Sequence, residues 1–297
     1  MALTYHILDV FTDRPYGGNP LAVVLGADGL TTLQMQAIAR EFNLSETIFV
    51  MAPDDPAHTA RARIFMPRGE MPFAGHPTLG CAVLLAEMAQ GPGDWQATVT
   101  LEEPAGLVPV VVTRQGGVTA GSITAPRLPA PHRGRVAEDL IPQALGLTAA
   151  EIGFDSARPG LWEGGPAFLY VPLRDREALA RARPCEPHWS RLVEAADVDC
   201  AYLYTPAKEA DFAARLFAPT SGIAEDPATG SATAILAAQI DAFAPLPPGT
   251  SRFSLVQGIE MGRPSRLSLE IDKGSEITAI RVGGAAVRLA EGRITPP

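Results

Sequence analysis

The sequence is poor in the features that mark several broad classes of protein. Cysteine occurs only three times in 297 residues, at Cys81, Cys185 and Cys200. An odd, widely spaced set fits neither a disulfide framework nor a zinc site. Positive charge is also in short supply, with 24 Lys and Arg against 33 Asp and Glu and a net charge of −9. A surface built to neutralise phosphates carries the opposite sign, and no run of Lys or Arg appears, so nucleic acid is not the expected partner. The longest apolar stretch, around Thr78 to Met88, is too short to span a bilayer. Met1 to Pro15 lacks the basic, apolar and small-residue regions of a secretory signal. The expectation is a cytoplasmic protein that binds neither membrane nor metal.

What the chain does contain is a substantial apolar fraction, 46%, with 19% charged residues. That suffices for two domains of ordinary size or one large one. Gly and Pro, 28 each, point to many strands joined by turns rather than to a helical bundle.

The chain also echoes itself. Gly18-Asn19-Pro20 before an apolar run has a counterpart in Gly164-Gly165-Pro166. Arg63-Ile64-Phe65-Met66-Pro67 is repeated as Arg215-Leu216-Phe217-Ala218-Pro219, and His76-Pro77-Thr78 as Asp226-Pro227-Ala228-Thr229. The matching prolines lie 146, 152 and 150 residues apart. Each match alone is weak, but three in one order at a nearly constant offset indicate a duplicated architecture.

Both halves read as strands around a buried helix. Val23–Leu25, Thr47–Met51, Arg61–Met66, Ala97–Leu101 and Leu107–Thr113 have strand character in the first half. Phe168–Val171, Cys200–Thr205 and Ala213–Phe217 have it in the second, followed by Ser265–Ile271, Glu276–Val282 and a last strand at Ala285–Leu289. A helix over Thr32–Phe42 is predicted to bury Leu33, Ala37, Ile38 and Phe42, with Thr31 or Thr32 as its cap. Two further helices, near 77–89 and 227–240, are apolar on nearly every side, as central helices should be. The Pro- and Gly-rich segment from Pro126 to Gly134 is the expected linker. The predicted halves are residues 1–126 and 127–284, with 285–297 returning to the first.

The starts of the two central helices are where chemistry is expected. Pro77 and Pro227 are read as first helical residues, with His76 and Asp226 as the preceding caps. Helix starts present free amides and a partial positive charge, which suit a carboxylate. Gly230 and Ser231 fall in the first turn of the second helix. Glu46, at the mouth of an apolar strand, is either a solvated loop residue or a general acid/base. Burial and a neighbouring Asp226 would both favour its neutral form.

Asp9-Val10-Phe11-Thr12, Gly17-Gly18-Asn19-Pro20, Leu44-Ser45-Glu46-Thr47, Pro72-Phe73-Ala74-Gly75-His76-Pro77 and Glu225-Asp226-Pro227-Ala228-Thr229-Gly230-Ser231 together resemble the PhzF-like isomerase family. The resemblance implies a diaminopimelate epimerase-like α/β (α+β) fold, with two pseudo-symmetric halves. Each would be a rolled, mostly antiparallel sheet around a central helix, with the active site between them. It implies that Glu46 transfers the proton, that His76 and Asp226 position and tune the substrate, and that Gly75, Gly230 and Ser231 help bind its carboxylate. It further implies an enzyme with no cofactor and no metal that is commonly a homodimer, its type reaction being isomerisation of dihydro-hydroxyanthranilate. The wider fold includes racemases with one cysteine at each central helix start. Neither start here carries one, and Cys81 falls inside the apolar helix, so two-thiol racemisation is not expected. Two other readings are an amino-acid epimerase or racemase using a carboxylate/histidine pair, and a binding protein for small acids without chemistry.

Overall fold

The computed structural model describes residues 2–297. The chain forms two compact units, the first running through Thr124 and completed by Gly283–Pro297, the second comprising Ala125–Val282. Among the described residues no helix is long and apolar enough to cross a membrane.

The first unit contains β1 (Leu3–Val10), β2 (Asn19–Leu25), α1 (Thr32–Phe42), β3 (Glu46–Met51), β4 (Ala60–Met66), β5 (Gly69–Met71), α2 (Gly75–Ala89), β6 (Trp95–Glu103), β7 (Gly106–Gln115) and β8 (Val118–Thr124). Most neighbours are antiparallel, but β2 runs parallel to β3 and β4 to β6. The turn between β1 and β2 depends on Gly18, whose φ is +63° and whose added Cβ would lie 2.3 Å from the Val10 carbonyl. Only a residue without a side chain fits there.

Helix α1 has the expected bounds, and its start is closed by a reciprocal capping box between Thr31 and Gln34. The buried face differs from the sequence expectation. It is formed by Met35, Ile38 and Ala39, with Phe42 packed beside them, while Leu33 is 83% exposed. Positions 35, 38, 39 and 42 share one side of a helix, and Leu33 falls off that stripe. Helix α2, by contrast, is buried on nearly all sides from His76 to Leu84. Gly80 lets it approach β1 and β2, since a Cβ there would meet the side chains of Val10 and Leu21 at 2.6 and 2.7 Å.

The second unit contains β9 (Ala130–Pro131), α3 (Ile141–Leu145), β10 (Gly160–Glu163), β11 (Ala167–Pro172), α4 (Arg176–Arg181), α5 (His188–Ala196), β12 (Ala201–Pro206), β13 (Phe212–Ala218), β14 (Ile223–Asp226), α6 (Gly230–Phe243), β15 (Gly249–Gln257), β16 (Ser265–Lys273) and the first part of β17 (Ile277–Ile294), whose residues from Gly283 on belong to the first unit. Its pairing repeats the first unit's. β11 is parallel to β12, β12 antiparallel to β13, β13 antiparallel to β14 and parallel to β15, and β15 antiparallel to β16. The two strands expected near the carboxyl end are one, β17. Its last part, from Ala286 to Ile294, pairs with β1.

The repeated Arg-x-Phe motif has a physical role in both units. Arg63 lies over the Phe65 ring at 5.2 Å and forks onto Glu70 of β5, with both bonds at 2.7 Å. Arg215 lies over Phe217 at 4.7 Å and forks onto Glu225 of β14, with both bonds at 2.8 Å. A bidentate guanidinium–carboxylate pair fixes both distance and angle. It therefore sets the short strand that leads into each central helix.

Candidate active site

In the first unit, β3 begins at Glu46, which pairs in register with Leu21 of β2. The Ser45 hydroxyl donates to the Asn19 Oδ1 at 3.1 Å, tying the entry of β3 to the start of β2. Across from it, α2 starts at Gly75, after an extended Ala74 that offers no side-chain cap. His76 is thus a first-turn residue rather than the cap that the sequence suggests. Pro77, at the third helical position, is still tolerated because that amide has no intrahelical acceptor.

These two elements bring Glu46 and His76 together. The His76 Nδ1 lies 3.3 Å from Glu46 Oε2, with the side chains 7% and 12% exposed. Burial drives the His76 pKa down to about 3, only partly offset by a hydrogen bond to the Pro20 carbonyl. The contact is therefore between a carboxyl group and a neutral imidazole, not a charged pair. His76 Nε2 is buried with no partner among the described residues.

In the second unit, Asp226, Gly230 and Ser231 gather at the start of α6. Sequence reasoning places Pro227 at the first helical position with Asp226 as cap. Instead Asp226 is the last residue of β14, paired with Leu216, and the helix begins at Gly230 with Thr229 as cap residue. Helix α6 therefore covers 230–243 rather than 227–240. The cause is Gln257, at the end of β15. Its Oε1 accepts from the Thr229 amide at 3.2 Å, and its Nε2 donates to the Asp226 carbonyl at 2.8 Å and to Thr229 Oγ1 at 3.0 Å. This clamp holds residues 226–229 out of the helix. The Thr229 hydroxyl in turn donates to Asp226 Oδ2, and Arg215 anchors Glu225 next door.

Asp226 and Gly230 are buried, while Ser231 and Gly75 are partly exposed. Neither α2 nor α6 has a side-chain cap on its first turn. The three cysteines have no place in this chemistry. Burial pushes the Cys81 thiol well above its usual range and the Cys200 thiol up to about 12. Both stay protonated and non-nucleophilic.

Sequence reasoning misses Gln257, the Pro20 carbonyl and the Arg215–Glu225 anchor. The repeated Arg-x-Phe motif could have pointed to the last of these. The other two act through strand register and leave no local signal.

The chain matches the PhzC-PhzF family, described as phenazine biosynthesis-like protein, over residues 8–292. It is 43% identical to an uncharacterized isomerase of Mesorhizobium japonicum, covering 98% of both chains. It is 35% identical to a trans-2,3-dihydro-3-hydroxyanthranilate isomerase of Pseudomonas aeruginosa, covering 97% of this chain and 98% of that one. Among solved structures, a PhzF family protein of Bacillus anthracis superposes with a TM-score of 0.87 at 24% identity, over 99% of each chain. The fold extends to a hydroxyproline epimerase of Agrobacterium vitis, with a TM-score of 0.63 at 15% identity over 99% of this chain and 91% of that one. The chain is an isomerase and belongs to the PhzC-PhzF phenazine biosynthesis-like family.

Proposed function

We propose that this isomerase shifts a proton within a small carboxylic acid, without metal or organic cofactor, using Glu46 as the single acid/base. The observation that carries this reading is the nearly dry contact between Glu46 and a neutral His76. An imidazolium at that distance would hold Glu46 as a permanent carboxylate. A neutral ring leaves it free to take a proton from an activated carbon and return it to another carbon on the same face. The buried, unpartnered Nε2 of His76 is suited to hydrogen-bond a substrate hydroxyl or amine. Asp226 serves as the second polar group positioning the substrate. Gly75 lies in the first turn of α2, and Gly230 and Ser231 lie in that of α6. Their amides are suited to a substrate carboxylate.

A substrate of the type named for the Pseudomonas aeruginosa relative, trans-2,3-dihydro-3-hydroxyanthranilate, is the first to test. It has a carboxylate to anchor and a ring system in which a proton can move. Glu46→Gln is expected to lower kcat by about 10²- to 10⁴-fold while leaving the circular dichroism spectrum and substrate binding intact. Retention of most of the rate by the Gln variant would refute the assignment. Running the reaction in D₂O separates it from epimerisation, in which deuterium enters a stereocentre of an otherwise unchanged skeleton.

A further inference from the structure

The repeat allows positions in the two units to be matched residue by residue. Arg63 and Arg215 correspond through their shared motif. Arg61 of β4 pairs with Glu102 of β6, and Ala213 of β13 pairs with Val256 of β15. Each lies two residues before its motif arginine, so Glu102 matches Val256 and Glu103 matches Gln257. Glu103 and Gln257 are each the last residue of their strand, and each reaches a threonine at the start of its unit's central helix.

Hydrogen counting at Glu103 narrows the options to two. Its Oε1 lies 2.6 Å from Thr78 Oγ1, which lies 2.7 Å from the Ala74 carbonyl. A hydroxyl has one hydrogen, and both a carboxylate and a carbonyl only accept. Either the single Thr78 hydrogen is shared between Glu103 Oε1 and the Ala74 carbonyl, or the carboxyl itself carries a proton and donates it to Thr78, which then donates to Ala74; only the second makes each short contact a full hydrogen bond. Gln257 does the equivalent with its amide nitrogen, donating to Thr229 Oγ1, which donates to Asp226.

From this geometry we infer that Glu103 is carried as a neutral carboxylic acid, the counterpart of Gln257. We assign it as a positioning residue that holds Ala74, and through it the first turn of α2 bearing His76.

The surroundings agree. Glu103 is 6% exposed, and its Oε2 is buried with no partner among the described residues. Burial lifts its pKa to about 7, and no cation contributes. The charged groups along the cleft beside it are committed elsewhere. Arg61 lies 3.2 Å from Asp54, Arg63 is forked on Glu70, and Glu102 accepts from the amides of Asp54 and Asp55 and from His58. From α2, Glu103 is faced by the protonated thiol of Cys81. An ionised Glu103 would be a buried charge without a counter-ion.

This role concerns the same site as the proton-shift reading but is tested without turnover. Difference infrared spectroscopy of wild type against Glu103→Gln, at about pH 6, is expected to show one protonated-carboxyl carbonyl band lost. Nitrogen NMR of the His76 ring is expected to be nearly unchanged in Glu103→Gln, which copies the second unit, and clearly shifted in Thr78→Val. Absence of the carboxylic acid band would overturn the inference. A His76 signal displaced as far by Glu103→Gln as by Thr78→Val would also overturn it. Because neither readout uses substrate, a failure here is distinct from a failure of Glu46 as the acid/base.

Discussion

The two units share a strand order, the placement of a central helix and an arginine fork, yet they differ at the positions where chemistry is expected. Arg63 pairs with Phe49, and Arg215 with Leu203. Counting back three residues matches Glu46 with Cys200. One unit places an ionisable carboxyl at the mouth of this strand. The other places a thiol whose pKa is pushed up to about 12 by burial, with Asp199 and Asp226 nearby. At the strand ends the order reverses, with a titratable Glu103 in the first unit and a permanently neutral Gln257 in the second. The repeated scaffold keeps its supports, while the ionisable groups at matched positions differ.

The largest expected effect tests that difference directly. Glu46→Gln should remove about 10²- to 10⁴-fold of kcat, whereas Cys200→Ala at the matched position should change it only a few-fold. Equal losses in the two variants, measured with thermal melts to confirm folding, would mean that the units are not specialised in this way.

The pH dependence of stability divides between His76 and Glu103. His76 is lowered from 6.5 to about 3. Below pH 6.5 the unfolded chain binds a proton that the folded one refuses, so this contribution is present above 6.5 and lost as pH falls towards 3, by roughly 5 kcal/mol at full extent. Glu103 is raised from 4.5 to about 7, which has the opposite sign. Its contribution is full below 4.5 and is lost as pH rises through about 7, by roughly 3 kcal/mol. Urea unfolding across this range should show Glu103→Gln abolishing the alkaline loss and His76→Asn abolishing the acid one.

Two smaller substitutions sharpen the comparison at the turns. Gly18→Ala meets a backbone carbonyl at 2.3 Å with φ at +63° and should cost about 2–4 kcal/mol. Its counterpart Gly164→Ala meets only the Ile235 side chain, at 2.9 Å, and should cost about 1 kcal/mol. Gln257→Leu leaves the Asp226–Thr229 segment unclamped and should lower stability by about 1–3 kcal/mol. Chemical denaturation of each variant supplies the check.

Much of this was legible in the sequence, because it lay in local pattern. Helix α1 could be read from its cap and spacing, the duplication from Arg-x-Phe-x-Pro, and the pairing of Glu46 with His76 from their blocks. Errors arose where a local preference met a tertiary partner. Proline is so favourable at a helix start that Pro227 was the natural choice, but Gln257 holds the backbone extended for three more residues. Leu33 fitted a helical period one step out of phase with the face that β3 and β4 cover. Glu103 looked like one of many strand-end acids, since only the β4–β6 register reveals its match to Gln257.

Strand β17 has a consequence for how the polypeptide is made. Its final segment covers one edge of β1, whose other edge is paired with β2. During synthesis β1 emerges before the whole second unit, and that covering segment after it. The amino-terminal unit must therefore wait through the whole of its neighbour's translation with an open strand edge, a period in which a chaperone, or a stray strand from another nascent chain, has its opportunity.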